Sequence, residues 1–331
     1  MDDRHELPES RAMKLVTIDC VPGGRPGAIL QNGDILHLER AAERATIQAW
    51  LPATLRGILE AGQDGLDVVR GIVERVEQAS VELRASLRDE GTILPADTRL
   101  LAPVPNPAMI VSVGQAYHSH VQEMKGKPPA EPHGFLKAPS AVVGPGAEIE
   151  LPPQLPDAVD FEGELCAVIG RVCHNVREED AMRHVAGYTI TNDVSARDAV
   201  PLIGQAKTTA EARTAWDLVH MGKQLPGFSP MGPALVTADE IADPGRLNLT
   251  TRVNGEVMQQ ANTSDFIFPL AKVIAYFSRW YTLMPGDIIS TGTPGGVGYG
   301  RDPKVLLRPG DVVEVEVGGI GTLSNRFVEA R

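Results

Sequence analysis

The sequence is poor in cysteine, in aromatic residues and in positive charge. Its three cysteines, Cys20, Cys166 and Cys173, form no CxxC pair and have no histidines at zinc-like spacing, which argues against a disulfide framework or a structural zinc. Cys166 lies inside an apolar run and reads as a small core residue. Lys and Arg number 31 against 43 Asp and Glu, a net charge of −12. That balance speaks against nucleic acid or an anionic membrane as a partner and leaves room for a small anionic substrate at a locally positive site. No apolar run reaches the roughly 18 residues of a membrane span. The start, MDDRHELPES, has neither signal nor transit character, so a cytoplasmic location is expected. The stretch STGTPGGVGYG (290–300) has the glycine density of a phosphate cradle but no helix after it, which weakens a nucleotide-binding reading.

Glycine and proline, by contrast, are plentiful at 33 and 26 residues, and many turns imply a strand-rich fold. Residues 14–39 read as short strands, with Asn32-Gly33-Asp34 as a hairpin signal. From about 47 to 88 the apolar spacing is helical, as at Val69, Ile72, Val73 and Val76. The proline-rich LLAPVPNPAMI (100–110) reads as a linker. This divides the chain into a small α/β domain, 1–103, and a mostly β domain, 104–331. In the second, PGD occurs at 285–287 and 309–311, each time before a strand, where Pro and Gly set the turn and Asp bonds backbone amides. SDFIFPLAKVIAYFSRW (264–280) reads as a helix capped by Ser264 or Asp265.

The chemistry concentrates in DFEGELCAVIG (160–170). Alternate residues of a strand share a face, so Asp160, Glu162 and Glu164 crowd like charges beside a core. A divalent cation would resolve the repulsion, since carboxylate oxygens are hard ligands suited to Mg²⁺, Ca²⁺ or Mn²⁺. Asp193, ending the apolar run before VSARD, offers a further carboxylate. Asp160 alone also fits a solvated strand start. In YHSHVQEM (117–124), His120 and Glu123 are three apart and share a helical face. A carboxylate on one imidazole nitrogen leaves the other as a positioned base, although His-x-x-Glu also arises by chance. Lys223, in a Gly/Pro-rich loop, is placed either to hold an anion or simply in solvent. Thr291 and Thr293, with the amides around Gly292, are suited to gripping a carboxylate or oxyanion.

Taken in order, YHSHVQE, FLKAPS, DFEGELCAVIG, GYTITNDVSARD, GKQLPGFSPMGP, VNGEVMQQANTSDFIF, LMPGDIISTGTPGGVG and LRPGDVVEVEVGGIGTL resemble the fumarylacetoacetate hydrolase family. The resemblance implies an α+β, predominantly β fold. A mixed-β roll would be the catalytic domain, with a small α/β domain before it, in a homodimer. It implies Glu162, Glu164 and Asp193 as metal ligands, with Mg²⁺ first and Mn²⁺ or Ca²⁺ as alternatives. It further implies His120 with Glu123 as a water-activating pair and Lys223 as a catalytic lysine. Tyr117, Arg197, Gly292 and Thr293 would contact substrate. Asp160 would orient the strand.

The expected activity is hydrolysis of a C–C bond in a 1,3-diketone or acylpyruvate through a metal-bound enolate, in catabolism of aromatic or sugar-derived acids. Decarboxylation or isomerisation of β-keto or oxo-dienoic acids on the same centre is the alternative. A non-catalytic small-molecule-binding homologue is the reading of another class. Where the family pattern has Asn before Tyr117 this chain has Ala116. Where it has Gln after SARD this chain has Val200 and a longer segment, 199–221, with Gln205 as a candidate replacement.

Overall fold

The apolar and alternating runs become strands of two sheets. The computed structural model describes residues 13–44, 51–155 and 158–330. The sequence reading of the first ten residues, and the start of the helical stretch at 47–50, lie outside them. In chain order the strands used below are Lys14–Ile18 (β1), Arg25–Ile29 (β2), Ile35–His37 (β3), Ile93–Leu94 (β4), Ile110–Val113 (β5), Gly134–Lys137 (β6), Glu148–Leu151 (β7), Gly163–Ile169 (β8), Val185–Asn192 (β9), Ser229–Thr237 (β10), Asn248–Val253 (β11), Glu256–Asn262 (β12), Ile288–Ser290 (β13), Val312–Val317 (β14) and Gly321–Glu329 (β15). The large sheet runs β4-β3-β2-β1-β10-β9-β8-β13-β5-β6 and the smaller one β12-β11-β14-β15-β7. Strand β8 is buried along its whole length, as expected of a run apolar on both faces and covered on both.

The N-terminal strands join those of the second half directly: β1 pairs antiparallel with β10, Lys14 opposite Val236. One core cluster draws Leu15, Leu36 and Ile58 together with Cys166, Val168 and Leu235. We propose the division near residue 103 as one of folding units rather than of sheets. Native-state hydrogen exchange tests it, two exchange classes splitting there being the expected result and a single class the refuting one.

The helical stretch resolves into Leu55–Glu60 (α1), Gly62–Glu77 (α2) and Val81–Asp89 (α3), with Val69, Ile72 and Val76 of α2 buried. Both PGD turns form as read. Gly286 and Gly310 have φ of +87° and +99°, and Asp287 accepts from the backbone N–H of Met109 at 2.9 Å and of Met284 at 2.7 Å. The helix expected over 264–280 is shorter: a 3-10 turn spans Thr263–Asp265 and the α-helix is Leu270–Ser278. Pro269 is the reason, because it bars the preceding residue from helical angles. Asp265 caps a different segment, accepting from Ser119 N–H at 3.0 Å. Among the described residues no helix is long and apolar enough to cross a membrane.

Candidate metal centre and active site

The start of β8 and the end of β9 lie side by side, with Gly163 opposite Asn192. Asn192 Oδ1 accepts from Glu162 N–H, and the carbonyl of Glu162 accepts from Asp193 N–H, both at 2.8 Å. These bonds bring the carboxylates of Glu162, Glu164 and Asp193 together, one oxygen from each within 4.8 Å of the others and all three residues buried. The site depends on glycine at two positions, one for a close approach and one for a turn. A Cβ on Gly163 would overlap Thr251 Oγ1 and lie 2.9 Å from Val315 Cγ1, so β8 touches the smaller sheet there. Gly292 has φ +85°, and a Cβ on it would stand 2.6 Å from that of Ala116.

Asp160 sits apart from the three. Its Oδ1 accepts from the N–H of Phe161 (2.9 Å) and Gly298 (2.8 Å), and its Oδ2 from Tyr299 N–H and Arg197 Nε, both at 3.2 Å. It ties β8's approach to the 290–300 loop.

Three cations enter the cluster. Lys223 Nζ donates to Glu162 Oε2 at 2.6 Å and to Asp193 Oδ2 at 2.8 Å. Arg197 bonds Glu162 Oε1 as well as Asp160. Lys137 bonds Asp193 Oδ1 and the carbonyl of Phe228, the latter at 2.7 Å. Lys137 is buried and was not singled out from the sequence. A cluster of four buried acids requires buried cations, but nothing in FLKAPS marks this lysine as one of them. Ser112, Ser290 and Gln259 were missed as well. Ser112 Oγ donates to Asp193 at 3.2 Å and Ser290 Oγ to Glu164. Gln259 bridges Gly163 N–H (3.0 Å) and Thr293 Oγ1 (2.7 Å).

The electrostatics follow from burial and these partners. Burial alone would raise the Glu162 carboxyl, but the Arg197 and Lys223 charges outweigh it and hold the group below the usual carboxylate range. Glu164 has no cation of its own: burial first, then the Asp193 and Glu162 charges, push it up to about 8. Its Oε2 accepts from Ser290 and from Gly292 N–H at 2.9 Å. Burial lowers the Lys137 ammonium against the pull of Asp193.

The donor set fits a divalent cation. Four buried carboxylates face three cationic side chains, and Glu164, raised by burial and by the Asp193 and Glu162 charges, is the one without an ion pair. A dication would take the place of the proton that this raised group otherwise holds. Carboxylate oxygens already accepting one hydrogen bond keep a lone pair for a metal, and an all-oxygen set selects Mg²⁺, Mn²⁺ or Ca²⁺.

His120 and Glu123 lie on the single-turn helix His118–Glu123 (α4), with Nδ1 and Oε2 3.4 Å apart. Neither atom has a hydrogen-bond partner, so the approach is one of position and charge rather than a formed hydrogen bond. Glu123 Oε1 accepts from Gly296 N–H at 2.9 Å and Ser119 Oγ from Gly295 N–H at 3.2 Å. The loop that gives Gly292 N–H to Glu164 therefore also fixes α4, and the His120 charge acts on Glu162. Tyr117 is fully buried with an unpartnered hydroxyl. Its pKa is raised by burial and then by the Glu164 charge. Thr293 Oγ1 donates to the Gly163 carbonyl at 3.0 Å and accepts from Gln259, so it braces β8. Gln205 is exposed at the end of its helix.

The family model for the fumarylacetoacetate (FAA) hydrolase C-terminal domain matches residues 109–328. Among curated proteins, a mitochondrial oxaloacetate tautomerase of Xenopus laevis is 38% identical over 308 residues, 93% of this chain and 87% of that protein. An oxaloacetate tautomerase of Bacillus subtilis (strain 168) is 35% identical over 304 residues, 91% of this chain and 95% of that one. Among solved structures, a fumarylacetoacetate hydrolase of Exiguobacterium antarcticum superposes with a TM-score of 0.73 at 33% identity, covering 96% of this chain and 100% of that chain. Maleylpyruvate hydrolase of Sphingobium sp. SYK-6, solved with manganese(II) and pyruvate, gives 0.70 at 27% identity, covering 96% and 100%.

Proposed function

This chain belongs to the fumarylacetoacetate hydrolase family, and from that premise we propose that it is a divalent-cation-dependent enzyme moving a proton at C3 of a 2-oxo acid with a second carbonyl at C4. Keto–enol interconversion is the first reading, ahead of the hydrolysis expected from the sequence, because relatives aligned over nine-tenths of the chain carry oxaloacetate tautomerase names. The observation that carries it is the His120–Glu123 pair, held by the loop that also holds Glu164.

Glu162, Glu164 and Asp193 would hold the ion, Mg²⁺ first and Mn²⁺ or Ca²⁺ as alternatives. When bound it supplies Lewis acidity at the substrate oxygens. Glu123, on the Nδ1 side, orients His120 and supports its positive charge when the other ring nitrogen takes the C3 proton. The C–H electron pair becomes the enolate, and His120 returns the proton to an oxygen to give the enol. The reverse path gives the ketone. Lys223, with Arg197 and Gly292, keeps positive potential where enolate charge develops. Tyr117 offers its unpartnered hydroxyl beside Glu164.

Hydrolysis is the second reading, favoured by the manganese- and pyruvate-bound maleylpyruvate hydrolase neighbour. There His120 takes a proton from water, hydroxide adds to C4, and the C3–C4 bond breaks. Its electron pair passes to C3, which recovers the proton from His120. Ketonisation of enol-oxaloacetate and loss of acylpyruvate absorbance, each followed with Mg²⁺ or Mn²⁺, separate the two. His120→Ala and Glu123→Gln are expected to lower kcat by about 10²–10⁴. Unchanged turnover in folded, cation-loaded variants would sink the proposal. A homodimer is part of it, checked by sedimentation equilibrium, where a monomer would count against it.

A further inference from the structure

The segment between Arg197 and Lys223 begins and ends on the acid cluster. Arg197 pairs with Asp160 and Glu162, and Lys223 with Glu162 and Asp193. Its two ends are also joined to each other, the carbonyl of Gly222 accepting from Ala196 N–H at 2.9 Å. Between them stand two helices, Val200–Gln205 (α5) and Thr209–Met221 (α6). The second is started by a capping box of Thr208 and Glu211.

Helical spacing puts Trp216 and His220 on one face of α6, and their rings are 6.1 Å apart. His220 stacks on Phe135, centroids 4.8 Å apart and planes 19° apart. Phe135 and Lys137 alternate on β6 and so share a face, and Lys137 is bonded to Asp193. Lys223 Nζ lies 5.9 Å from the Phe135 centroid. Three rings thus lead from the acid cluster to Trp216, which is 49% exposed. The proton chemistry above uses none of them.

We infer that Phe135, His220 and Trp216 form the specificity surface for the group beyond C4, selecting a flat conjugated acyl group, aroyl or alkenoyl, in place of the terminal carboxylate of oxaloacetate. The inference rests on the proposed reading only in placing the 2-oxo acid end at the acid cluster. Stacked faces favour planar π-systems over a tetrahedral or charged terminus. On the cluster side of the rings Lys223 and Lys137 are both paired with carboxylates, so neither of them is free for a second carboxylate. Burial, and then the Lys223 charge, lower the His220 pKa and favour its neutral ring.

The test uses two unreactive 2-oxo acid mimics, oxamate and its N-phenyl derivative oxanilate, titrated calorimetrically into the full chain loaded with Mg²⁺. Oxanilate is expected to bind at least about 10-fold tighter, and Trp216→Ala/His220→Ala to reduce that preference to below about 3-fold, the scale of one or two aromatic contacts. Taking the ratio within each variant cancels any loss of folded protein. Phe135→Leu, which keeps bulk without the ring, lowers the same ratio. No preference in the wild type, an unchanged ratio in the variants, or no binding of either ligand overturns the inference. An intact oxanilate preference without turnover of any 2,4-dioxo acid refutes the proposed reaction and leaves the ring surface supported.

Discussion

Replacing Gly163 by alanine perturbs the point where the two sheets meet under the acid cluster. The new Cβ overlaps Thr251 Oγ1 and stands 2.9 Å from Val315 Cγ1, where ordinary contact begins at 3.4 Å. Val315 must retreat by about 0.5 Å and Thr251 by more, against the close packing of a protein interior. Both are buried and sit on paired strands, β11 and β14, with Thr251 opposite Val315. The Gly163 backbone cannot yield instead, since Gln259 and Thr293 hold its N–H and carbonyl at 3.0 Å each. Overpacking at such a site costs about 3 kcal/mol, the upper end of the usual range. At roughly 2 °C per kcal/mol for a chain of this length, Tm falls by about 6 °C. Thr251 Oγ1 has no hydrogen-bond partner, so Thr251→Ala alone costs little, and in the double variant it recovers at least about 1 kcal/mol. Urea titration of the four proteins measures the cycle. A Gly163→Ala variant within about 0.5 kcal/mol of wild type, or no coupling to Thr251, refutes this account of the strand.

Lys137→Met leaves Asp193 short of a buried partner, and urea denaturation is expected to show a loss of about 3–5 kcal/mol. Glu162→Gln is expected to weaken Mn²⁺ binding by more than about 100-fold and Asp160→Asn by less than that, about 10–100-fold being the range for supporting groups. Equal losses by calorimetry would make Asp160 a ligand. Glu164 is raised above its ordinary value, so in chelator the folded state binds more protons than the unfolded one. Stability should therefore fall as pH rises from about 5 to 8, and Glu164→Gln should flatten that slope. A slope unchanged by the substitution refutes the assignment.

Much of the site was legible because its residues are adjacent in sequence or close a strand. Glu162 and Glu164 flank a glycine, and Asp193 ends the apolar run that pairs with theirs. Asp160 looked equivalent by alternation, but its contacts are backbone amides and Arg197. Lys137 was not legible, because a lone lysine after Phe-Leu carries no periodicity, and only the folded pairing of β5 with β6 brings it to Asp193. The ring ladder was hidden for the same reason: Phe135 and His220 are 85 residues apart in sequence and 4.8 Å apart in space. The late start of the helix after Pro269 shows apolar spacing overruled by one backbone constraint.

The central claim is that Glu162, Glu164 and Asp193 together hold one divalent cation on which the chemistry depends. Mn²⁺ titration followed by electron paramagnetic resonance tests it directly, on wild type, Glu164→Gln and Asp193→Asn. The account predicts one tight Mn²⁺ per chain in the wild type, and a loss of more than about 100-fold in affinity in each variant, with each carboxylate ligand worth at least the ~3 kcal/mol of a buried ion contact. A stoichiometry of one retained at similar affinity in either variant, or no bound Mn²⁺ in the wild type, would contradict it.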